Sequence, residues 1–123
     1  MTIRIIRKQD LAGTARHVKA PTYETFRFLL EQDGTGVTVT DIVLKPGIEA
    51  IYGYDKHIEI AYCLEGHATL TDQHGAAHEI VPGTMWVADK GTQFRFIAQE
   101  PTRLICVFSP AFTGSETGYA GDQ

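Results

Sequence analysis

The sequence predicts a single all-β domain, built as an antiparallel sandwich or barrel. Short runs rich in Val, Ile, Phe, Tyr and Thr alternate with turn signals such as DGTG at 33–36, KPG at 45–47 and VPG at 81–83. These turns are evenly spaced, and outside the first ~15 residues no window has the apolar period of an amphipathic helix. A chain of 123 residues, 43% hydrophobic and 21% charged, has the size and composition of one globular domain.

The runs between these turns predict the individual strands. We place them at residues 26–31, 36–44, 58–64, 67–71, 77–81, 85–88, 93–98 and 102–108. Residues 1–20 are expected to form an N-terminal arm. Residues 113–123 are small and polar, and their composition is typical of a flexible tail.

One predicted strand is apolar on both faces. The run IEIAYCL at 58–64 places Glu, Ala and Cys on one face and Ile, Tyr and Leu on the other. A sheet with two apolar faces needs a cover on its outer side, and a second copy of the chain supplies one most simply. The sequence therefore predicts a homodimer formed through an outer sheet face.

Charge, hydropathy and cysteine usage exclude several classes of protein. The net charge is -4 and there is no basic run, so no nucleic-acid partner is expected. No apolar stretch approaches the ~20 residues of a membrane span, and no signal peptide is visible, which predicts a cytoplasmic protein without a membrane partner. Cys63 and Cys106 lie in apolar runs and are predicted to be buried thiols, not a disulfide.

A metal-binding motif is partly present. Gly47, Glu59 and Gly66 match the first half of the cupin motif, and VPGTMW at 81–86 matches the turn of its second half. The sequence thus resembles the cupins, which implies a double-stranded β-helix, also called a jelly-roll barrel. The positions at which cupins carry their metal-binding histidines are occupied here by Gly53, Asp55 and Phe94.

A closer resemblance covers nearly the whole chain. The segments RFLLEQDGTG, HIEIAYCLEG, IVPGTMW and above all CVFSPAFTGSE resemble those of the ectoine synthases. These small cupins close N-acetyl-diaminobutyrate into a cyclic amidine with loss of water. The resemblance implies a lyase of the carbon–oxygen class that acts on a small molecule, with a C-terminal tail able to close the pocket.

The resemblance also implies a metal site, but this chain has other residues at two of the three metal-binding positions. In ectoine synthases a glutamate, a tyrosine and a histidine hold the metal; Glu59 matches the first, while Trp86 and Phe94 replace the other two. Neither indole nor phenyl offers a lone pair for coordination. A divalent metal such as iron is the implied cofactor, but most expected ligands are absent, and only Glu59 and His57 remain as candidate ligands.

Other positions carry over from the family as candidate substrate contacts. The residues that match pocket positions are Arg27, Tyr54, His57, Phe108 and Glu116. At four further pocket positions the residue has changed: a tryptophan to Tyr23, an asparagine to Thr40, a threonine to Ile42 and a tail histidine to Gly118.

Glu59, His57 and Tyr54 are the candidate catalytic residues. A glutamate on an apolar strand either pairs with a cation such as Arg27 or Lys56, or has a raised pKa suited to general acid/base catalysis. His57 lies two residues earlier and is expected on the same strand face, as a proton relay or as a hydrogen-bonded wall residue. Tyr54 could orient a proton, or pack on the surface.

The remaining candidates would bind the substrate or fill the core. Arg27, between two phenylalanines, either clamps a substrate carboxylate or is a surface arginine. Trp86 and Phe94 could line the pocket or simply fill the barrel.

The sequence leaves three functions open. The first is an ectoine-synthase-like cupin lyase that cyclises or dehydrates a small, amino-acid-like carboxylate by acid/base chemistry. The second is a metal-free cupin isomerase or cyclase acting on another metabolite. The third is a cupin that binds a small molecule without catalysis.

Overall fold

A computed structural model describes residues 2–122 and contains mostly β-structure. The two short helical elements are the α-helix α1 (Lys8–Leu11) and a single 3₁₀ turn at Glu31–Asp33. The ten strands are β1 (His17–Lys19), β2 (Tyr23–Leu29), β3 (Thr38–Leu44), β4 (Ala50–Gly53), β5 (Ile58–Glu65), β6 (Ala68–Thr71), β7 (Ala77–Ile80), β8 (Met85–Ala88), β9 (Gln93–Ala98) and β10 (Thr102–Ser109).

The strands form two antiparallel sheets that face each other. The larger sheet has the order β1-β2-β3-β10-β5-β8, and the smaller has the order β4-β9-β6-β7. Strands distant in sequence become neighbours, as in a jelly roll, and the core lies between the sheets. The predicted all-β cupin fold is therefore confirmed. In the part of the chain that the structure describes, no helix is long and apolar enough to cross a membrane.

The eight predicted strands are all present, and two more were missed. β1 has only three residues, and β4, with the sequence AIYG, has no alternation of apolar and polar residues. β2 begins at Tyr23, three residues before the predicted start, because Tyr23 and Thr25 continue its buried face.

The larger sheet carries apolar side chains on both of its faces, as the sequence indicated. On β5, Glu59, Ala61 and Cys63 are buried, whereas Tyr62 and Leu64 are exposed on the outer side. Cys63 and Cys106 are both buried and unbridged, as predicted. The inward face of β5 thus carries one acid among small side chains.

The C-terminal segment packs against the edge of the smaller sheet. The Gly53 N–H donates to the Gly118 carbonyl at 3.0 Å, and the Ala120 N–H donates to the Ile51 carbonyl at 2.9 Å. Tyr119 stacks on Tyr52 with ring centroids 5.7 Å apart. These contacts give residues 118–120 a defined place beside β4, and the predicted flexibility of this segment stays a prediction.

Candidate active site

The inner face of the larger sheet carries the site, and strand register fixes which residues share it. One row runs across five strands: Arg27 lies opposite Thr40, Thr40 opposite Cys106, Cys106 opposite Ala61, and Ala61 opposite Trp86. Directly opposite residues project to the same face of a sheet. The register therefore places a basic, a hydroxyl, a thiol and an indole side chain along one inner row.

Glu59 lies beside this row. It is two residues from Ala61, so it shares that inner face, and it lies opposite Phe108 on one side and Ala88 on the other. Trp86 is therefore its diagonal neighbour on β8, within reach of a long side chain.

These side chains line a cavity of about 40 Å³ between the two sheets. That volume holds a few water molecules but is well below the space of an ordinary metabolite site. The cavity lining includes eight of the predicted site residues: Tyr23, Arg27, Thr40, Tyr54, Glu59, Trp86, Phe94 and Phe108.

Glu59 is a buried carboxyl group without a salt bridge. It is 7% exposed, and its Oε1 atom has no hydrogen-bond partner. Burial raises the pKa of Glu59 to about 7, an effect that the neighbouring indole of Trp86 partly offsets. Among residues 2–122 it forms no ion pair, so the alternative in which it pairs with Arg27 or Lys56 is wrong.

Arg27 is a buried cation that is likewise without a charged partner. The side chain is 4% exposed; one terminal nitrogen donates to the Gly114 carbonyl at 2.8 Å and the other to the Glu116 carbonyl. Its guanidinium carbon lies 5.5 Å from the centre of the Phe112 ring, and its Nε has no partner. The alternative of a surface arginine is wrong, and no carboxylate of the described chain neutralises this charge.

Three tyrosines surround the cavity on the side of the tail. The Tyr23 hydroxyl donates to the Thr117 carbonyl at 2.5 Å, and the Tyr52 hydroxyl lies 2.6 Å from that of Thr22. Burial raises the pKa of Tyr52 to about 12, and burial followed by the nearby Glu59 raises that of Tyr54 well above its usual value. Burial also raises the pKa of Tyr23, so all three tyrosines are neutral groups at physiological pH.

The predicted pairing of His57 with Glu59 is not formed. β5 begins at Ile58, so the alternation that would align the two side chains does not extend to His57. Its Nδ1 lies 2.7 Å from the Pro110 carbonyl and its Nε2 3.4 Å from a Glu116 carboxylate oxygen. His57 therefore contacts the tail and does not line the cavity.

Glu116 also lies outside the cavity lining. Its carboxylate accepts hydrogen bonds from the backbone N–H groups of Thr113 and Gly114, each at 3.0 Å. These bonds lower the pKa of Glu116, against the effect of its burial. The Glu116 side chain stabilises the loop whose backbone carbonyls accept hydrogen bonds from Arg27. It therefore influences the site through the backbone and does not contact the cavity itself.

Trp86, Phe94 and Phe96 pack together in the core and also line the cavity. Phe94 is buried and packs edge-on against Trp86, with ring centroids 6.2 Å apart, and Phe96 lies 5.8 Å from the same indole. The Trp86 Nε1 atom is buried and makes no hydrogen bond. An indole that only filled the core would leave this donor unsatisfied at a cost in free energy.

Sequence reasoning missed several residues that line the cavity, notably Tyr52, Cys106, Phe112 and Thr117. Tyr52 lies on β4, whose sequence AIYG has no alternation of apolar and polar residues. Cys106 could have been found, because its strand alternation places it on the same face as Phe108. Phe112 and Thr117 follow the last strand, where no periodicity indicates direction.

Comparison with known proteins agrees with this architecture. The family model described as ectoine synthase matches residues 1–121. The chain belongs to the ectoine synthase family. The L-ectoine synthase of Oceanobacillus iheyensis is 36% identical over 110 residues, covering 89% of this chain and 86% of that protein. The L-ectoine synthase of Streptomyces anulatus is 39% identical over 110 residues, covering 87% of this chain and 83% of that protein.

Solved structures confirm the cupin fold. The ectoine synthase of P. lautus superposes with a TM-score of 0.88 at 30% identity, covering 93% of this chain and 83% of that one. The polyketide cyclase RemF of Streptomyces resistomycificus superposes at 0.69 with 18% identity, covering 89% and 80%, which supports the fold alone. As a member of the ectoine synthase family, the chain is a cupin lyase.

The metal that the ectoine synthase family implies does not fit the residues present. Within residues 2–122, no three His, Cys, Asp or Glu side chains come together as a metal-binding group. Glu59 shares the cavity with Cys106, whose pKa burial raises well above its usual value, so the thiol stays protonated. His57, the other candidate ligand, faces the tail. One carboxylate with aromatic neighbours does not supply the three protein ligands that such a site needs.

Proposed function

We propose that this cupin lyase removes water from a small, amino-acid-like carboxylate, closing a ring or forming a double bond by acid/base chemistry. One observation carries the proposal. A buried arginine without an acidic partner and a buried, unpaired glutamate with a pKa of about 7 line the same cavity. Buried charges are costly unless they are paired, so a ligand is the natural source of the missing anion.

Arg27 is the proposed carboxylate clamp. Its terminal nitrogens now donate to two tail carbonyls, which are neutral acceptors. A substrate carboxylate would form stronger, charge-assisted hydrogen bonds with the same donors and with the free Nε. Because the cavity is smaller than a metabolite, the tail and its carbonyls must move aside during entry.

Glu59 is the proposed general acid and base. A group with a pKa near the working pH can both give a proton to a leaving oxygen and take one from the attacking or neighbouring atom. The oxygen then leaves as water. Phe108 and Trp86 cover the carboxyl and keep bulk water away, while Tyr54 offers a neutral hydroxyl at the tail side.

His57 and Glu116 are proposed to position the tail. Their contact at 3.4 Å, together with the hydrogen bonds of Glu116 to Thr113 and Gly114, fixes the loop that covers Arg27. They act on the substrate through this loop, and Tyr23, which binds the Thr117 carbonyl, acts in the same way.

Amino acids acylated on a side-chain amine are the first substrates to test, since the relatives named L-ectoine synthase belong to the same family. The purified protein, prepared without a metal-affinity tag, is incubated with such compounds, and loss of water is followed by mass spectrometry with and without a chelator. Turnover that survives chelation and disappears in Glu59→Gln and Arg27→Met supports the proposal. Turnover that only added metal restores, or that persists in Glu59→Gln, contradicts it.

A non-catalytic binding protein is the second candidate. The small cavity and the aromatic replacements at Trp86 and Phe94 favour it, because they exchange polar positions of the family for apolar walls. Carboxylate binding that requires Arg27, without turnover of any candidate, would select this function. A metal-free isomerase, or a cyclase that closes its ring without dehydration, would instead yield a product that has lost no water.

We also propose a cytoplasmic homodimer. The outer side of β5 and β8 presents neighbouring apolar side chains, since Tyr62 lies opposite Met85 and Ile60 opposite Val87. Met85 is 60% exposed and Val87 58% exposed. A second copy would bury this patch. The two unbridged cysteines favour a reducing compartment.

A further inference from the structure

Three unsatisfied polar atoms lie in one place. Within residues 2–122, the buried side-chain nitrogen and oxygen atoms without a hydrogen-bond partner are Arg27 Nε, Glu59 Oε1 and Trp86 Nε1. All three residues line the same cavity. Folded proteins leave few such atoms, because each one costs free energy. Their coincidence at a single cavity indicates a ligand that supplies the missing partners.

The indole of Trp86 is held in a fixed orientation. Its backbone pairs with Ala61, whose methyl side chain leaves room above the sheet, and its ring packs against Phe94 and Phe96. Trp86 is the diagonal neighbour of Glu59 across β5 and β8, and its Nε1 lies at the same cavity without a hydrogen-bond partner. An N–H group held in place and shielded from bulk water is the kind of donor that stabilises charge on an oxygen.

We propose that Trp86 is a substrate-binding residue whose indole N–H donates a hydrogen bond to a carbonyl oxygen of the ligand. Glu59 accepts a hydrogen bond from an N–H group next to that carbonyl, so the pair recognises a planar amide. This inference rests on the proposed function, in which Arg27 holds the carboxylate of the same molecule. A carbonyl oxygen gains negative charge when its carbon is attacked, so the donor strengthens its contact as the reaction proceeds.

Three probes of equal chain length separate the contributions. N-acetylglycine carries a carboxylate and an amide, levulinate keeps the carbonyl but has a methylene in place of the N–H, and pentanoate keeps only the carboxylate. We expect binding to weaken about 10-fold from N-acetylglycine to levulinate and about 10-fold again to pentanoate, as each step leaves a buried group unpaired. Isothermal titration calorimetry measures the three dissociation constants.

The chain contains a single tryptophan, so its nitrogen-15 spectrum has one indole signal that needs no assignment. A hydrogen bond to a carbonyl shifts the indole proton downfield. N-acetylglycine and levulinate are expected to produce this shift, whereas pentanoate is not. An indole signal that pentanoate moves as far as levulinate does, or that no probe moves at saturation, overturns the proposal.

Two variants distinguish failure of this inference from failure of the proposed function. Trp86→Phe keeps an aromatic ring without the N–H, and it should abolish the preference for levulinate over pentanoate. Arg27→Met should weaken all three probes at least 10-fold, with Arg95→Met, an exposed arginine on β9, as the matched control. If Arg27→Met weakens binding but the probes never differ, the carboxylate clamp stands and the role of Trp86 is wrong. If Trp86→Phe does not fold, the indole signal of the unmodified protein still decides.

Discussion

Glu59 and Arg27 are an acid and a base that line one cavity and do not pair with each other. Glu59 faces an indole and phenyl rings, while Arg27 turns to backbone carbonyls of the tail. Each side chain therefore keeps an unmet hydrogen-bonding capacity inside the fold. Both residues add to the free-energy cost of the site, so their substitution should be visible in stability as well as in binding.

Glu59→Gln should change how stability depends on pH. Native Glu59 keeps its proton up to about pH 7, whereas the unfolded chain releases it near the ordinary value of 4.5. The folded state therefore binds more protons in this window, and the free energy of unfolding falls as pH rises through it. The shift corresponds to roughly 3 kcal/mol. The variant should not lose stability in this way. Its free energy of unfolding, relative to that of the unmodified protein, should therefore rise by roughly 3 kcal/mol between about pH 4 and about pH 8.

Urea unfolding across this pH range measures the effect. Glu100→Gln, which removes a carboxylate from an exposed loop, is the matched control and should leave the pH dependence almost unchanged. A constant stability difference between Glu59→Gln and the unmodified protein at every pH would show that Glu59 titrates at its ordinary value.

The double variant Trp86→Tyr with Phe94→His should create a metal site. Both positions line the cavity with Glu59, and their rings are 6.2 Å apart. A phenol, an imidazole and a carboxylate together provide three oxygen and nitrogen ligands suited to a divalent transition metal. Elemental analysis of the tag-free protein should find close to one ion per chain in the double variant. Adding Glu59→Gln should remove it, and a metal content equal to that of the parent protein would contradict the prediction.

At the scale of elements, the contacts of the tail could not be predicted from the sequence. Residues 118–120 bond to β4, and the carbonyls of 114 and 116 accept hydrogen bonds from Arg27. These contacts are made by the backbone, which carries no sequence signature. The eight predicted strands, by contrast, follow directly from apolar runs and turn residues.

Gly118→Ala should detach the tail. A Cβ atom at Gly118 would lie 2.5 Å from the Tyr54 hydroxyl oxygen, and the residue has a φ of +85°. Gly121→Ala is a matched control, because its φ is +91° but a Cβ there meets nothing within 4 Å. We expect limited proteolysis after residue 112 to accelerate about 10-fold or more in Gly118→Ala than in Gly121→Ala. Equal cleavage rates would show that the contact with Tyr54 does not hold the tail.

The sequence predicted most of the residues that line the cavity, but not how their side chains pair with one another. Eight of the ten candidate residues line the cavity, because family resemblance and strand alternation both indicate inward positions. The two that do not, His57 and Glu116, lie just before β5 and after β10, where alternation carries no information. That Arg27 pairs with tail carbonyls and not with a carboxylate could not be predicted, since it depends on the path of the tail.

At the scale of the whole molecule, the exposed apolar patch on β5 and β8 predicts the assembly. Val87→Lys should convert the dimer to a monomer, because a charge at the centre of an apolar interface is costly to bury. Sedimentation velocity measures the change. Ile48→Lys, at an exposed isoleucine outside both strands, is the control and should leave the dimer intact. A parent protein that sediments as a monomer would overturn the dimer itself.

The tail carbonyls that accept hydrogen bonds from Arg27 compete with any ligand carboxylate for the same guanidinium donors. A ligand carboxylate must displace the acceptors supplied by Gly114 and Glu116, so the apparent affinity equals the intrinsic affinity multiplied by the fraction of molecules with an open tail. Shortening the chain before Thr113 would remove the competitor and tighten carboxylate binding. It would also admit bulk water to Glu59, so occupancy and turnover should change in opposite directions.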